Sequence, residues 1–340
     1  MPSGDDVTAA TAPPGARTPS NPSSRPFAPA SISIRLYPHN DLPAEAVVAE
    51  LCAQASLALR AGFDGVMTSE HHGGFGGYMA QPLQMASFVL AEHATGWAAA
   101  APLLLPLRST ALVAEEVAWL QARHPGRVGL GVAAGALSFD FEVAGASQID
   151  AAERYKSELP RLVAMLRGEQ LGQLEGDPAL LACRRSPVPV LSAAVSVAAA
   201  VRAARCGAGI LMEGMSAPSR LARLTEAYAD AGGTGPKVLI RRVWLGRVQS
   251  ELVARQRAVY EGFAQQAARF GEDQTIAADE PADLAEQIVQ VATDVGADAL
   301  NLRVQLPGVR PEEVRDQIVA IGETVVALTK QFWPSGYSGT

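Results

Sequence analysis

Eight short apolar runs, each followed by a longer stretch with helical periodicity, recur between residues 31 and 332 and leave few folds open. The runs fall at 31–36, inside 62–72, and at 97–105, 128–132, 188–193, 210–213, 237–245 and 299–303. They are apolar almost throughout rather than alternating, the pattern of strands covered on both faces. The segments 43–61, 81–95, 109–123, 151–167, 197–206, 218–230, 251–270 with 281–295, and 312–332 read as helices. Ser109 is a candidate cap, and Pro160 a point where its helix kinks or restarts. Residues 271–280 read as a polar loop. Eight strand–helix units predict an α/β chain folded as a single (β/α)8 TIM barrel. A doubly wound open sheet is the structural alternative. It would show a strand running directly into GxGxxG, and the nearest glycines, Gly129, Gly131 and Gly135, have another spacing. The expected organisation is a disordered N-terminal tail over 1–29, rich in Ala, Pro, Ser, Thr and Gly, the barrel over 30–333, and a flexible C-terminus over 334–340.

Charge and cysteine usage remove several function classes. A net charge of -7 and a pI near 5.4, with no Lys/Arg-rich block, argue against a nucleic-acid surface. The longest nearly apolar run, 97–107, contains two prolines and is about half as long as a membrane helix requires. The tail has no apolar block of the secretory kind. Cys52, Cys183 and Cys206 lie far apart without CxxC spacing, so they read as small buried hydrophobes in a reducing, cytoplasmic setting.

Barrel enzymes place their chemistry at the carboxyl ends of the strands. The run Gly62-Phe-Asp-Gly-Val-Met-Thr-Ser-Glu-His-His72 ends in three ionisable side chains, followed by the Gly-rich loop Gly73-Gly-Phe-Gly-Gly77. If the strand persists that far, His71 and His72 point to opposite faces, which weakens a metal reading. His39, His93 and His124 are scattered without ligand spacing, so no metal site is expected. His71 is the stronger candidate for moving protons near neutral pH. Glu70 reads equally as a direct participant or as an anchor of the loop. Ser196 precedes a helix, where its hydroxyl and the free N–H groups can receive an anion or simply cap the helix. Arg241, Arg242 and Arg303 interrupt apolar runs, and a buried arginine needs an anionic partner. Arg242 reads as an ion pair, whereas Arg241 or Arg303 reads as an ion pair or as a contact to substrate or phosphate.

Four strings in series resemble the bacterial luciferase-like monooxygenases. They are Ala61-Gly-Phe-Asp-Gly-Val-Met-Thr-Ser-Glu-His-His72; Leu105-Pro106 with Ala114-Glu-Glu-Val-Ala-Trp-Leu120; Gly126-Arg-Val-Gly-Leu-Gly-Val-Ala-Ala-Gly135 running on to Asp140-Phe-Glu-Val-Ala-Gly145; and Ala203-Ala-Arg-Cys-Gly207. The resemblance implies a barrel enzyme that receives reduced FMN from a separate flavin reductase, activates oxygen and oxygenates a small-molecule substrate. No nicotinamide fingerprint is present, in keeping with a partner that supplies the reducing equivalents. Hydride transfer with the deazaflavin F420 is the alternative within the family. A non-catalytic flavin-binding partner subunit is a second alternative, opposed by retention of Glu70-His71-His72; a metal hydrolase on the same barrel is opposed by the missing ligands. By the same resemblance His71, with Glu70 beside it, is the active-site histidine, and Gly131 and Gly135 lie along the flavin. The Ala101–Pro102 bond is expected to be cis beneath the ring, and the flavin phosphate is expected near the loops Ser192–Ser196 and Glu213–Ser216, which include Ser196 and Gly214. Ala133 and Ala134 stand where the luciferases proper carry Cys-Arg, and His124-Pro-Gly-Arg127 replaces Ser-Gly-Gly-Arg, which speaks against aldehyde bioluminescence. The resemblance further implies a homodimer through Gln81–Thr95, where Leu83, Met85, Phe88 and Val89 offer a face that would otherwise pack on the barrel.

Overall fold

A computed structural model describes residues 25–74, 77–263 and 273–333 of the chain. The expectations for the tail before residue 25 and for 334–340 lie outside the described residues. Among the described residues nine strands occur, in the order β1 (Ile32–Arg35), β2 (Gly65–Thr68), β3 (Trp97–Leu104), β4 (Val128–Ala133), β5 (Val190–Ala193), β6 (Gly209–Met212), β7 (Lys237–Leu245), β8 (Ile276–Ala278) and β9 (Ala299–Arg303). Between and after them lie α1 (Ala44–Ala61), α2 (Pro82–Glu92), α3 (Thr110–Arg123), α4 (Ser138–Ala144), α5 (Ala151–Met165), α6 (Pro178–Ala182), α7 (Val197–Cys206), α8 (Pro218–Asp230), α9 (Ser250–Phe263), α10 (Pro281–Val295), α11 (Pro311–Ala320) and α12 (Ala327–Phe332). β1 through β7 pair in sequence, β7 pairs with β9, and β9 pairs with β1, all in parallel, so the sheet closes into the expected barrel.

Side chains alternate between two environments. Ile32, Ile34, Leu36, Leu300 and Leu302 face outward into the layer shared with the helices, a continuous core made mainly of aliphatic residues. Met67, Trp97, Ala99, Ala101, Leu191, Leu211, Val238 and Ala299 fill the lumen. At its amino end Trp97 fills the space left by Gly65, where a Cβ would lie 2.1 Å from the indole, and Phe27 packs edge-on against Trp97 at 5.2 Å. Phe27 is 1% exposed. The barrel therefore begins before residue 30: 25–29 belong to the fold because Phe27 closes its floor, burial that stabilises by about 1.5–3 kcal/mol.

Other boundaries also shift. Residues 276–278, read as loop, form β8. β7 is longer than its pairing with β9 uses, and its last residues Val243–Leu245 take a further partner in Ile276–Ala278. α4 is unannounced by periodicity because seven residues make barely two turns; Gly145 ends it at φ +63°. α5 continues through Pro160 rather than restarting there. The closing helix is interrupted by a π-helical segment, Ile321–Val326, where Gly322 lets it approach α1: a Cβ there would come within 2.5 Å of that of Ala61. Among the described residues no helix is long and apolar enough to cross a membrane.

Candidate active site

β2 stops at Thr68, earlier than the histidines, so strict alternation does not govern His71 and His72. The chain instead leaves the barrel and returns at Met79, which bridges Glu70; His71 N donates to Met79 O and Met79 N to Ser69 O. Asn40 ties this excursion to the first strand's loop, accepting from Gly77 N at 3.0 Å.

Glu70 is hydrogen-bonded as an anchor would be. Its carboxylate is buried and accepts from Leu104 N at 2.6 Å, from an Arg108 terminal nitrogen at 2.6 Å and, at 3.0 Å, faces His72 Nε2. Arg108 also reaches Gln81 Oε1 at 3.1 Å. The carboxylate thus welds the ends of β2 and β3 together. It shares its oxygens with these backbone and side-chain donors.

His71 is oriented by a residue that the sequence reading did not single out. Its Nδ1 lies 2.7 Å from Asp140 Oδ2, while Asp140 Oδ1 accepts from His72 N at 2.9 Å. Asp140 is 1% exposed and the His71 side chain 18%. An ionised carboxylate only accepts, so Nδ1 is the donor, and whenever the imidazole is neutral Nε2 carries its lone pair. Tyr78 packs edge-on against the imidazole at 4.5 Å. Asp140 lies in the first turn of α4, within the Asp140-to-Gly145 string; its acidic position after Gly135 was visible, its fold-back onto β2 was not.

The remaining predicted residues also lie at or near the carboxyl ends of strands. The Ala101–Pro102 bond is cis, and the β3–β4 register shifts between Ala100 and Leu103. Glu70 N donates to Pro102 O, which joins this corner to the histidine loop. Gly131 faces Ala101 across β3 and β4, where a Cβ would come within 2.8 Å of Ala101 Cβ. Gly135 has φ +84° and lies against Phe141 of α4. Ala99, Ala101 and Gly131 thus make a low, buried apolar wall on β3 and β4.

On the far side Ser196 caps α7, accepting from Ala199 N at 3.3 Å. Ser109, by contrast, occupies the N-cap of α3 without a side-chain cap bond. Gly214 begins the turn after β6, and its carbonyl accepts from Arg241 at 3.2 Å. Arg241 faces outward, not into the lumen; burial lowers its pKa, opposed by Glu213, and its Nε and second terminal nitrogen have no partner. Arg242 and Arg303 face inward. Arg242 meets Asp273 at 3.6 Å together with Thr275 and Gln256, in keeping with the ion-pair reading. Among the described residues no group of three or more His, Cys, Asp and Glu is arranged to hold a metal.

Of the proposed dimer face, Met85 and Val89 are buried against the barrel, which removes them from it. Phe88 remains 36% exposed, and Leu112 and the half-exposed Trp119 of α3 are accessible as well. A groove between α2 and α3, about 670 Å³ in volume, runs past Leu83, Trp119 and Leu120.

The sequence profile of the family described as luciferase-like monooxygenase matches residues 30–328. No curated protein matches the chain. Among solved structures, monooxygenase RslO1 from Streptomyces bottropensis superposes with a TM-score of 0.71 at 19% identity, covering 87% of this chain and 99% of that one. The oxygenating constituent of 3,6-diketocamphane monooxygenase from the CAM plasmid of Pseudomonas putida, in complex with FMN, gives 0.68 at 15% identity, with 88% and 98% covered. An F420-dependent secondary alcohol dehydrogenase in complex with an F420–acetone adduct gives 0.66 at 16% identity, also with 88% and 98% covered.

Proposed function

The chain belongs to the luciferase-like monooxygenase family, and we propose that it is a flavin-dependent monooxygenase that receives reduced FMN from a separate reductase and uses dioxygen on a small organic substrate. The observation that carries this reading is His71, held by buried Asp140 at 2.7 Å beside the cis Ala101–Pro102 corner of a wall made of alanine and glycine. Reduced flavin, when bound, supplies the electrons that activate dioxygen. The protein's part is to hold it, exclude water and move protons.

Ala101, Pro102 and Gly131 would form the surface under the ring, with Gly135 turning the chain beside it. The Ser196 hydroxyl, which accepts from Ala199 N, retains its own proton for a phosphate oxygen. The Gly214 turn lies over the Arg241 guanidinium, whose charge favours an anion there. His71 transfers the proton through Nε2, and Asp140 keeps that nitrogen in the right tautomer. We place the enzyme in the cytoplasm as a homodimer paired through the accessible side of α2, with Leu83 and Phe88; a monomeric mass in sedimentation velocity at micromolar concentration would remove the dimer.

Anaerobic titration with reduced FMN and with reduced F420, followed by admission of oxygen, tests the function. The proposal expects micromolar or tighter binding of reduced FMN and an oxygen reaction altered from that of free reduced FMN. Selective F420 binding without an oxygen response would replace oxygenation by hydride transfer. Binding of neither would indicate a non-catalytic subunit.

A further inference from the structure

We propose that the Ser69 hydroxyl recognises the N5 position of the flavin and so sets a preference for FMN over a deazaflavin, which has carbon there. This rests on the reading of the β3–β4 wall as the surface under the ring and decides between its two cofactor classes.

Ser69 is the first residue past β2. Along that strand Val66 faces the helix layer, Met67 the lumen, and Thr68 outward again, its hydroxyl donating to Pro82 O at 3.5 Å. Backbone pairing continues to Glu70, whose N reaches Pro102 O at 3.0 Å, so alternation carries Ser69 back to the lumen side. Met67 pairs with Ala99 and Thr68 with Ala100, which brings Ser69 level with Ala101. Its carbonyl accepts from Met79 N at 3.1 Å, which holds the residue from the other side. Ser69, Ala101 and Gly131 thus form one row across β2, β3 and β4. Within it Gly131 lies so near Ala101 that a Cβ there would come within 2.8 Å of the alanine methyl.

The row carries one hydroxyl, and that hydroxyl has no partner. Ser69 is 4% exposed, and its Oγ meets neither a protein group nor solvent. Neighbouring hydroxyls are satisfied: Thr68 by Pro82 O, Ser33 by Leu300 O at 3.0 Å, and Ser192 by the Tyr155 hydroxyl at 2.8 Å. A buried hydroxyl left unpaired works against folding, so its retention needs an explanation outside the fold's own bonds. The alanine and glycine beside it bring no polar side chain, which leaves Ser69 as the member of the row able to bond a ring heteroatom. His71, two residues on and held by Asp140 at 2.7 Å, puts the proton-moving edge of the site at the same end of the row. A serine oxygen can accept from the N–H that reduced FMN carries at N5, whereas a reduced deazaflavin offers only C–H there.

Anaerobic titration with reduced FMN and reduced 5-deaza-FMN, which share ring outline and phosphate chain and differ at a single ring atom, tests the assignment. Wild-type protein should bind FMN about tenfold more tightly than its analogue, the scale of one hydrogen bond whose loss leaves a buried donor unpaired. In Ser69→Ala the two ligands should bind about equally, through weaker FMN binding with 5-deaza-FMN affinity unchanged. The urea midpoint of unliganded Ser69→Ala should equal or exceed that of the wild type, because no bond of the folded chain is lost. An equal FMN-to-5-deaza-FMN ratio in wild type and variant overturns the proposal. So does a lowered midpoint in the unliganded variant, which would assign the hydroxyl to the fold or to a buried water. Equal binding of both ligands by the wild type overturns the role of Ser69 and leaves the flavin reading standing. Binding of neither overturns the flavin reading and the proposal with it, and a wild-type preference for 5-deaza-FMN overturns the proposal in favour of hydride transfer.

Discussion

Replacing Asp140 by asparagine changes one atom's chemistry at the centre of the site. In the wild type the carboxylate accepts at both oxygens, from His71 Nδ1 at 2.7 Å and from His72 N at 2.9 Å. Asparagine can keep only one acceptor. Because the rigid backbone N–H of His72 must be satisfied, the amide oxygen stays there and the NH2 group turns toward His71. Nδ1 must then accept, so the imidazole proton moves to Nε2 and the nitrogen facing the chemistry becomes a donor. Loss of a charged, buried hydrogen bond costs about 1.5–3 kcal/mol. Misplacing the proton removes general acid–base assistance, about 10²–10⁴-fold in turnover. Two-dimensional 15N NMR of the histidine rings reads the tautomer without knowledge of the substrate. The expected result is an Nδ1–H ring for His71 in the wild type and an Nε2–H ring in Asp140→Asn, with FMN affinity within threefold. An unchanged tautomer in the variant would refute the reasoning, whatever happened to activity.

Three further outcomes follow from named contacts. Glu70→Gln leaves Arg108 facing a neutral amide and should lower stability by about 3 kcal/mol, read as a fall in urea midpoint at constant slope; an unchanged midpoint would show that Glu70 is not the weld between β2 and β3. Gly131→Val places methyl groups against Ala101, at about 1–3 kcal/mol of overpacking, and should weaken reduced-FMN binding at least tenfold; retained affinity would move the flavin off this wall. His39, His93 and His124 are each held below the ordinary histidine pKa, by burial first. The unfolded chain therefore binds more protons than the fold as pH falls through about 6.5, so the stabilisation present at pH 7.5 is lost toward pH 5. The urea midpoint should drop over that window and drop less in His39→Gln; a midpoint rising toward pH 5 would contradict the assignment.

The sequence made the barrel legible because its strands are buried on both faces and their apolar runs need no partner to be seen. The ends were less legible. Phe27 lies in a Pro- and Ser-rich context that reads as tail, and only the space beneath Trp97 gives it a place. β8 is three residues long and exists because β7 overhangs its neighbours. At the site, His71 was found from its position after an apolar run, whereas Asp140 is 69 residues away in a helix too short to show periodicity. Arg241 and Arg303 looked alike in the sequence. Their faces are set by strand register, which places Arg303 inward with Asn301 and Arg241 outward with Leu302.

The most direct measurement is a crystal structure of the protein with FMN. The isoalloxazine should lie in van der Waals contact with Ala101 and Gly131, with its phosphate between Ser196 and Gly214 and His71 Nε2 on the side of the imidazole away from Asp140. FMN bound outside the carboxyl end of the barrel, or lying on β7, β9 and β1 instead of on β3 and β4, would contradict this placement.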